Sequence, residues 1–297
     1  MEKINYSYDR SFTIERDLHR NDATGTRVCV AIDDLLKRRV VLKIQKYQSQ
    51  EEKRRILEEI NNQIALEQYT EYIPSIYSYH IENKISSIVI EMQNIEGKTL
   101  RDRLNDSHGV NENEEKWYKD QYELLMNIVK AVSYIHSLKG FVHKDLKPEN
   151  IVINRRNEVY VLDYGISGPG MTNKGVGTEK YMAPEQIRGA NTNFVIQSSD
   201  VFALAQIGLE LFNITPLRYG VDLIPDQTGG KWEEKKDISR VGLDYYPELG
   251  KLLEKALSLK PADRYMNAKE LYEALKMVYR AHNRGKVNGK YRSENRR

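Results

Sequence analysis

A single cysteine, Cys29, is all the thiol chemistry in this chain, so neither an intramolecular disulfide nor a thiolate zinc cluster can be built from it. It lies in an alternating apolar run and reads as a small core residue. Long apolar runs are missing as well. No stretch approaches the roughly eighteen residues that mark a membrane-spanning helix, and Met1-Glu2-Lys3-Ile4-Asn5 has no signal-peptide core. These absences lead to the expectation of a cytoplasmic protein without a membrane segment. Excess charge of one sign is scarce too: the net charge is +3, and residues 282–297 alone contribute +5, from six Lys/Arg against Glu294, leaving −2 for the rest. The folded part is therefore not expected to bind nucleic acid, and residues 283–297 read as a basic disordered tail.

What remains is ample for a core. Apolar residues make up 40% of 297 positions, a length beyond the usual single-core size, so two lobes or one large domain is expected. Residues 12–15, 27–32, 39–44 and 85–92 alternate or carry β-branched runs, as strands do. Residues 50–68 contain no Gly or Pro and are rich in helix formers. A helical apolar stripe spans 115–138 and stops at Gly140. An apolar helix is expected over 201–212 with Asp200 as its cap, and two more over 248–259 and 268–282. Residues 216–247 carry Pro, Gly and Asp with weak periodicity, a composition suited to docking loops.

The chemistry concentrates at Val142-His143-Lys144-Asp145-Leu146-Lys147-Pro148-Glu149-Asn150-Ile151, followed by Val161-Leu162-Asp163-Tyr164-Gly165. Two carboxylates, an ammonium and a carboxamide stand on short loops between β-branched runs, a set able to hold a metal-bound phosphate beside a base. Taken singly, Asp145 and Asn150 suit loop turns, His143 suits a satisfied core position, and Lys43 suits a strand end reaching water. The joint spacing D-x-K-x-x-N, with D-Y-G thirteen residues beyond Asn150, points instead to one site.

His143 to Asn150 resembles the H-R-D-L-x-x-x-N catalytic loop of protein kinases, and Asp163-Tyr164-Gly165 resembles their D-F-G triplet. Val40-Val41-Leu42-Lys43 looks like V-A-I-K, and Ala183-Pro184-Glu185 like A-P-E. Four motifs in order, across roughly residues 12–280, together with Lys147-Pro148-Glu149, resemble the eukaryotic-like (Hanks-type) serine/threonine protein kinases. The resemblance implies an α+β bilobal fold: residues 1–94 a small β-rich N-lobe with one main helix, and residues 95–282 a larger, mostly helical C-lobe.

It also implies roles. Asp145 would be the catalytic base, Lys147 would contact the γ-phosphate, and Asn150 and Asp163 would ligate Mg²⁺. Lys43 would bridge the α- and β-phosphates and a helix glutamate, for which Glu59 is chosen ahead of Glu58. Gly25, Val28, Val41, Val152 and the gatekeeper-like Ile90 would line ATP, with the backbone of residues 91–94, including Glu91 and Met92, bonding the adenine. Residues 18–25 stand where a glycine-rich loop belongs, but Asn21, Ala23 and Thr26 fall on its glycine positions. Lys144 replaces the usual arginine and lacks its bidentate fork. In the activation segment, Thr178 resembles the threonine that bonds the catalytic Asp and Lys, Thr172 is the autophosphorylation candidate, and Glu185 would pair with Arg264. By the same resemblance Asp200 would hold the catalytic-loop backbone.

The leading expectation is an ATP- and Mg²⁺-dependent kinase acting on protein Ser/Thr hydroxyls, itself included. The alternative is a pseudokinase or nucleotide-binding scaffold with a degraded glycine-rich loop. A small-molecule kinase is disfavoured by the platform of residues 178–185.

Overall fold

The computed structural model describes residues 2–7, 10–106, 114–137, 141–164, 168–169, 178–187, 195–218, 223–225, 232–234 and 246–294. The chain divides into two compact units, residues 1–97 with 160–165, and residues 98–159 with 166–297. The first boundary falls three residues beyond the expected 94. Residues 160–165 join the first unit, where the Val161 N–H donates to the Tyr72 carbonyl at 2.8 Å.

The first unit is an antiparallel sheet in the order β1-β2-β3-β4-β6-β5, built from β1 (Lys3–Ser7), β2 (Arg10–Asn21), β3 (Thr26–Asp33), β4 (Arg39–Lys46), β5 (Ile76–Glu82) and β6 (Ser87–Gln93). Its register sorts side chains onto two faces, because cross-strand partners share a face and neighbours along a strand do not. Val28 pairs with Lys43 and Lys43 with Ile90, while Val30 pairs with Val41 and Val41 with Met92. Val28, Val41, Lys43, Ile90 and Met92 thus share one face. The other face buries Phe12, Ile14, Cys29, Ala31, Val40, Leu42 and Val89. Burial pushes the Cys29 thiol up to about 11, in keeping with an inert core residue.

Between β4 and β5 runs α1 (Gln50–Glu67). Its N-cap Ser49 accepts the Glu52 N–H at 3.1 Å. Ile56, Glu59, Ile60, Gln63 and Leu66 form its buried stripe, and Ile56 and Ile60 pack with Ile88 and Ile90 of β6. β6 begins at Ser87 rather than 85, because Asn83–Ile85 makes a short 3₁₀ turn closed by Ser86 at φ 49°. The β2–β3 connection is also tighter than expected. β2 continues to Asn21, whose Oδ1 accepts the N–H groups of Ala23 and Thr24, and Gly25 completes the turn at φ 65°. A Cβ at Gly25 would come within 2.8 Å of Lys46 Cβ, so hairpin geometry alone accounts for this glycine.

The second unit is built on helices: α2 (Leu100–Asp106), α3 (Glu114–Ser137), α4 (Gln197–Leu211), α5 (Pro247–Ala256) and α6 (Ala268–Glu294). The short strands after β6 are β7 (Gly97–Thr99), β8 (Phe141–Val142), β9 (Ile151–Asn154), β10 (Val159–Val161), β11 (Gly168–Pro169), β12 (Leu223–Pro225) and β13 (Trp232–Glu234). β7, β9 and β10 form one small sheet, β8 pairs with β11, and β12 pairs with β13. α4 is buried nearly all round, the mark of a central core helix. Gly208 permits this closeness, since a Cβ there would stand 3.0 Å from Leu253 of α5 and 3.5 Å from Leu125 of α3.

Two expectations need correction. α4 starts four residues early, with Ile196 as its N-cap, so Asp200 lies inside the first turn and does not cap the helix. α6 continues to Glu294 through most of the stretch expected to be a disordered tail. An established helix adds one hydrogen bond per residue fixed, so propagation needs less favourable composition than nucleation does. Among the described residues no helix is long and apolar enough to cross a membrane.

Candidate active site

In the first unit, Lys43 Nζ donates to Glu59 Oε1 at 2.6 Å and to Asp163 Oδ1 at 3.4 Å. Burial opposes the charge on Lys43, but Glu59 and Asp163 outweigh it and hold the ammonium above the ordinary lysine range. Glu58 points away and pairs with Arg54 at the surface. Asp163 adopts φ 63°, a left-handed conformation costly for a residue with a side chain. What holds it is the next residue: Tyr164 is fully buried and its hydroxyl donates to the Val161 carbonyl at 3.1 Å. Burial drives the Tyr164 phenol well above its usual value.

In the second unit the loop following β8 gathers four side chains. Lys147 Nζ donates to Asp145 Oδ2 at 2.6 Å and to Thr178 Oγ1 at 3.0 Å. Thr178 donates to Asp145 Oδ1 through its N–H at 2.8 Å and its hydroxyl at 3.0 Å. Asn150 Nδ2 donates to the Asp145 carbonyl at 2.9 Å and to its Oδ2 at 3.3 Å. That orientation commits the amide nitrogen inward and leaves Asn150 Oδ1 as an oxygen donor with no partner among the described residues. Val152 follows on β9 and is buried. Thr172, Ser167 and Gly165 lie outside the described residues, as do Gly140 and most of 216–247.

Beneath this loop, Asp200 accepts the His143 N–H at 2.7 Å and the Lys144 N–H at 2.8 Å. These amides immediately precede Asp145, and Lys144 takes φ 73° between them. Burial alone would raise the Asp200 pKa, but His136 and the His143 N–H outweigh it and hold the carboxyl below its usual value. Burial lowers the pKa of Lys144, partly offset by Asp200. Asp200→Asn replaces an acceptor oxygen by a donor facing buried N–H groups and should cost about 1–3 kcal/mol, read by chemical denaturation. Because the carboxyl pKa is depressed, the contribution is complete above the ordinary carboxylate value and is lost as pH falls through the lowered one.

A match to the protein kinase domain covers residues 24–279, well over half of the chain. This chain belongs to the protein kinase family. Serine/threonine-protein kinase D of Synechocystis sp. is 28% identical over 222 residues, covering 71% of this chain and 39% of that protein. A probable serine/threonine-protein kinase of Clostridium acetobutylicum is 27% identical over 272 residues, 86% of this chain and 38% of its own length. Mitogen-activated protein kinase kinase 1 of Arabidopsis thaliana is 29% identical over 221 residues, 71% of this chain and 59% of that protein. The chain spans under two fifths of the length of the two bacterial relatives.

Several residues supporting the Asp145 cluster had no legible signal. His136 on α3 donates or accepts through Nε2 at 2.9 Å from Asp200 Oδ2, while its Nδ1 accepts the Ala268 N–H at 3.1 Å. The second contact assigns the ring as the Nε2–H tautomer, donating to Asp200. In the sequence His136 is one polar position on an apolar stripe. Gln186 Nε2 donates to the Lys144 carbonyl at 2.9 Å. Tyr181 and Lys180 bond Glu210 of α4, and Arg101 of α2 reaches Glu149, Tyr181 and Glu210. These partners lie 29 to 132 residues apart, beyond the reach of local pattern.

Proposed function

We propose that this kinase transfers the γ-phosphate of ATP to serine or threonine hydroxyls of proteins, its own included, in the cytoplasm. The observation that carries the reading is the Asp145–Lys147–Thr178–Asn150 cluster, in which a carboxylate, an ammonium, a hydroxyl and a carboxamide held through its nitrogen are fixed by mutual hydrogen bonds. Asp145 accepts the proton of the incoming hydroxyl. Lys147, 2.6 Å from it, balances charge on the transferring phosphoryl group. In the first unit, Lys43 binds non-transferred phosphate oxygens while Glu59 keeps it charged and aimed.

The donor chemistry fits Mg²⁺, which prefers oxygen ligands and shares its sphere with phosphates and water. Asn150 Oδ1 in the second unit and the half-exposed Asp163 carboxylate in the first each supply an oxygen ligand of the kind that would hold it. The bound ion would supply charge neutralisation on the phosphates. Val28, Val41, Ile90 and Met92, on one sheet face with Lys43, would contact the nucleotide base and sugar. Gly25 is proposed only as a backbone contact at the tip of the β2–β3 hairpin.

The scaffold alternative is not supported. Its main argument was the glycine-poor loop, and that loop is a sound hairpin closed by Asn21 and Gly25. Intact-mass measurement after incubation with Mg-ATP tests the proposal. Phosphoryl increments on the wild type, absent from Asp145→Ala and mapped to Ser or Thr, are expected. ATP binding by thermal shift, without any increment on this chain or an added protein acceptor, would overturn it.

A further inference from the structure

Glu91 belongs to the proposed adenine-binding backbone, yet its side chain does something the proposed reaction does not require. Because Leu42 is its cross-strand partner, it stands on the sheet face opposite Lys43, Ile90 and Met92. There it is 3% exposed. Glu91 Oε1 accepts from Arg38 Nη2 at 2.9 Å, and Oε2 accepts from Ser78 Oγ at 2.8 Å and from Arg10 Nη2. Arg10 Nη2 also reaches Asp33 Oδ2 at 3.2 Å, and that carboxylate is fully buried. Asp33 in turn takes the N–H groups of Leu35 and Leu36 through Oδ1, at 3.0 and 3.1 Å. Arg38 stacks on Tyr77 of β5, 3.8 Å from its ring centre.

Two buried carboxylates and two guanidiniums therefore meet near the end of β6: Arg10 from β2, Asp33 from the end of β3, Arg38 from the β3–β4 turn and Glu91 from β6, with Ser78 of β5 as a further donor. Stability does not call for such a cluster. Well-packed apolar residues in place of buried ion pairs are often neutral or stabilising, and the adjoining core of Phe12, Cys29 and Leu42 is apolar. What ions add is direction, since each oxygen has a fixed partner on a different strand or turn.

We propose that Arg10 and Arg38, through Glu91, are positioning residues for the nucleotide: they fix the rotation and depth of the β6 end whose backbone meets the adenine. This rests on the proposed ATP reading. Ser87 to Gln93 keep their ladder without the cluster, but with the Glu91 side chain released, the terminal residues of β6 sample alternative positions, and a fraction of molecules no longer present the binding geometry.

The test is steady-state kinetics of Glu91→Gln and Arg38→Met with Mg-ATP and a protein acceptor, alongside melting temperature and calorimetric ADP affinity. The expected result is a KM for ATP and a Kd for ADP raised about five- to tenfold, with kcat and the acceptor KM within about twofold. A variant that melts earlier but keeps the wild-type KM for ATP would overturn the proposal, as would a fall in kcat alone. Should Glu91→Gln fail to fold, Ser78→Ala removes one donor to Oε2 and should shift the same two constants in the same direction by a smaller factor. A wild type that neither binds ADP nor transfers phosphate would show the underlying reading to be at fault, before any variant is compared.

Discussion

Asp145→Asn is expected to lower kcat by about 10²–10⁴-fold, the usual loss on removing a positioned base, equivalent to roughly 3–5 kcal/mol of barrier. The substitution is nearly isosteric, and its oxygen can still accept from Thr178, so the fold should persist. Its new amide group, however, faces the Lys147 ammonium now 2.6 Å from Oδ2, and donor faces donor. Lys147 is thus displaced as the base is lost, so the two effects are not additive. Steady-state kinetics with a protein acceptor would read the change, with the melting temperature as control. A kcat within tenfold of the wild type would remove Asp145 from the role of base.

Arg264→Met should be the most damaging single change to stability, at about 3–5 kcal/mol. Glu185 and Arg264 form a two-pronged pair, Nη1 to Oε1 at 2.7 Å and Nη2 to Oε2 at 2.8 Å, with side chains 1% and 0% exposed. Ser199 Oγ donates to Glu185 at 2.6 Å, and Arg264 also donates to the carbonyls of Ser198, Ser258 and Leu259. Removing the guanidinium strands a buried carboxylate and takes one donor away from each of three carbonyls. Against a typical total of about 5–15 kcal/mol, this is about a fifth or more of the margin. Urea denaturation should show a lower midpoint with an unchanged slope. The double variant Glu185→Leu/Arg264→Met should recover part of the loss, since no lone charge is then left buried. If the double variant is no more stable than Arg264→Met, charge burial is not the dominant cost.

Much of the fold was legible because its signals are local. The β-branched runs around Val41 and Val89, the breaker-free helix holding Glu59, and the apolar stripe of α3 each show their period within a few turns or residues. The errors fell at element ends and at polar residues with two plausible uses. Asp200 looked like a helix cap because an apolar run follows it. Instead Ser199 Oγ accepts the Ile196 N–H at 3.2 Å, the helix opens earlier, and Asp200 takes the His143 and Lys144 amides. Asn21 looked like a defect in a glycine loop and closes a hairpin turn.

What stands close together along the chain was determined by the sequence alone: the Asp145, Lys147 and Asn150 spacing, the Asp163-Tyr164-Gly165 triplet, and a lysine, Lys43, in an apolar strand, which the structure carries on to Lys46. Pairings across the chain were decided only by tertiary structure. Glu59 rather than Glu58 meets Lys43, Thr178 reaches back 33 residues to Asp145, and Glu91 turns its carboxylate to Arg10 and Arg38 on the face away from Ile90. The physical reason is that a buried charge must find a partner, while a linear sequence states only which charges exist; sheet register and helix packing determine which of them share a low-dielectric interior.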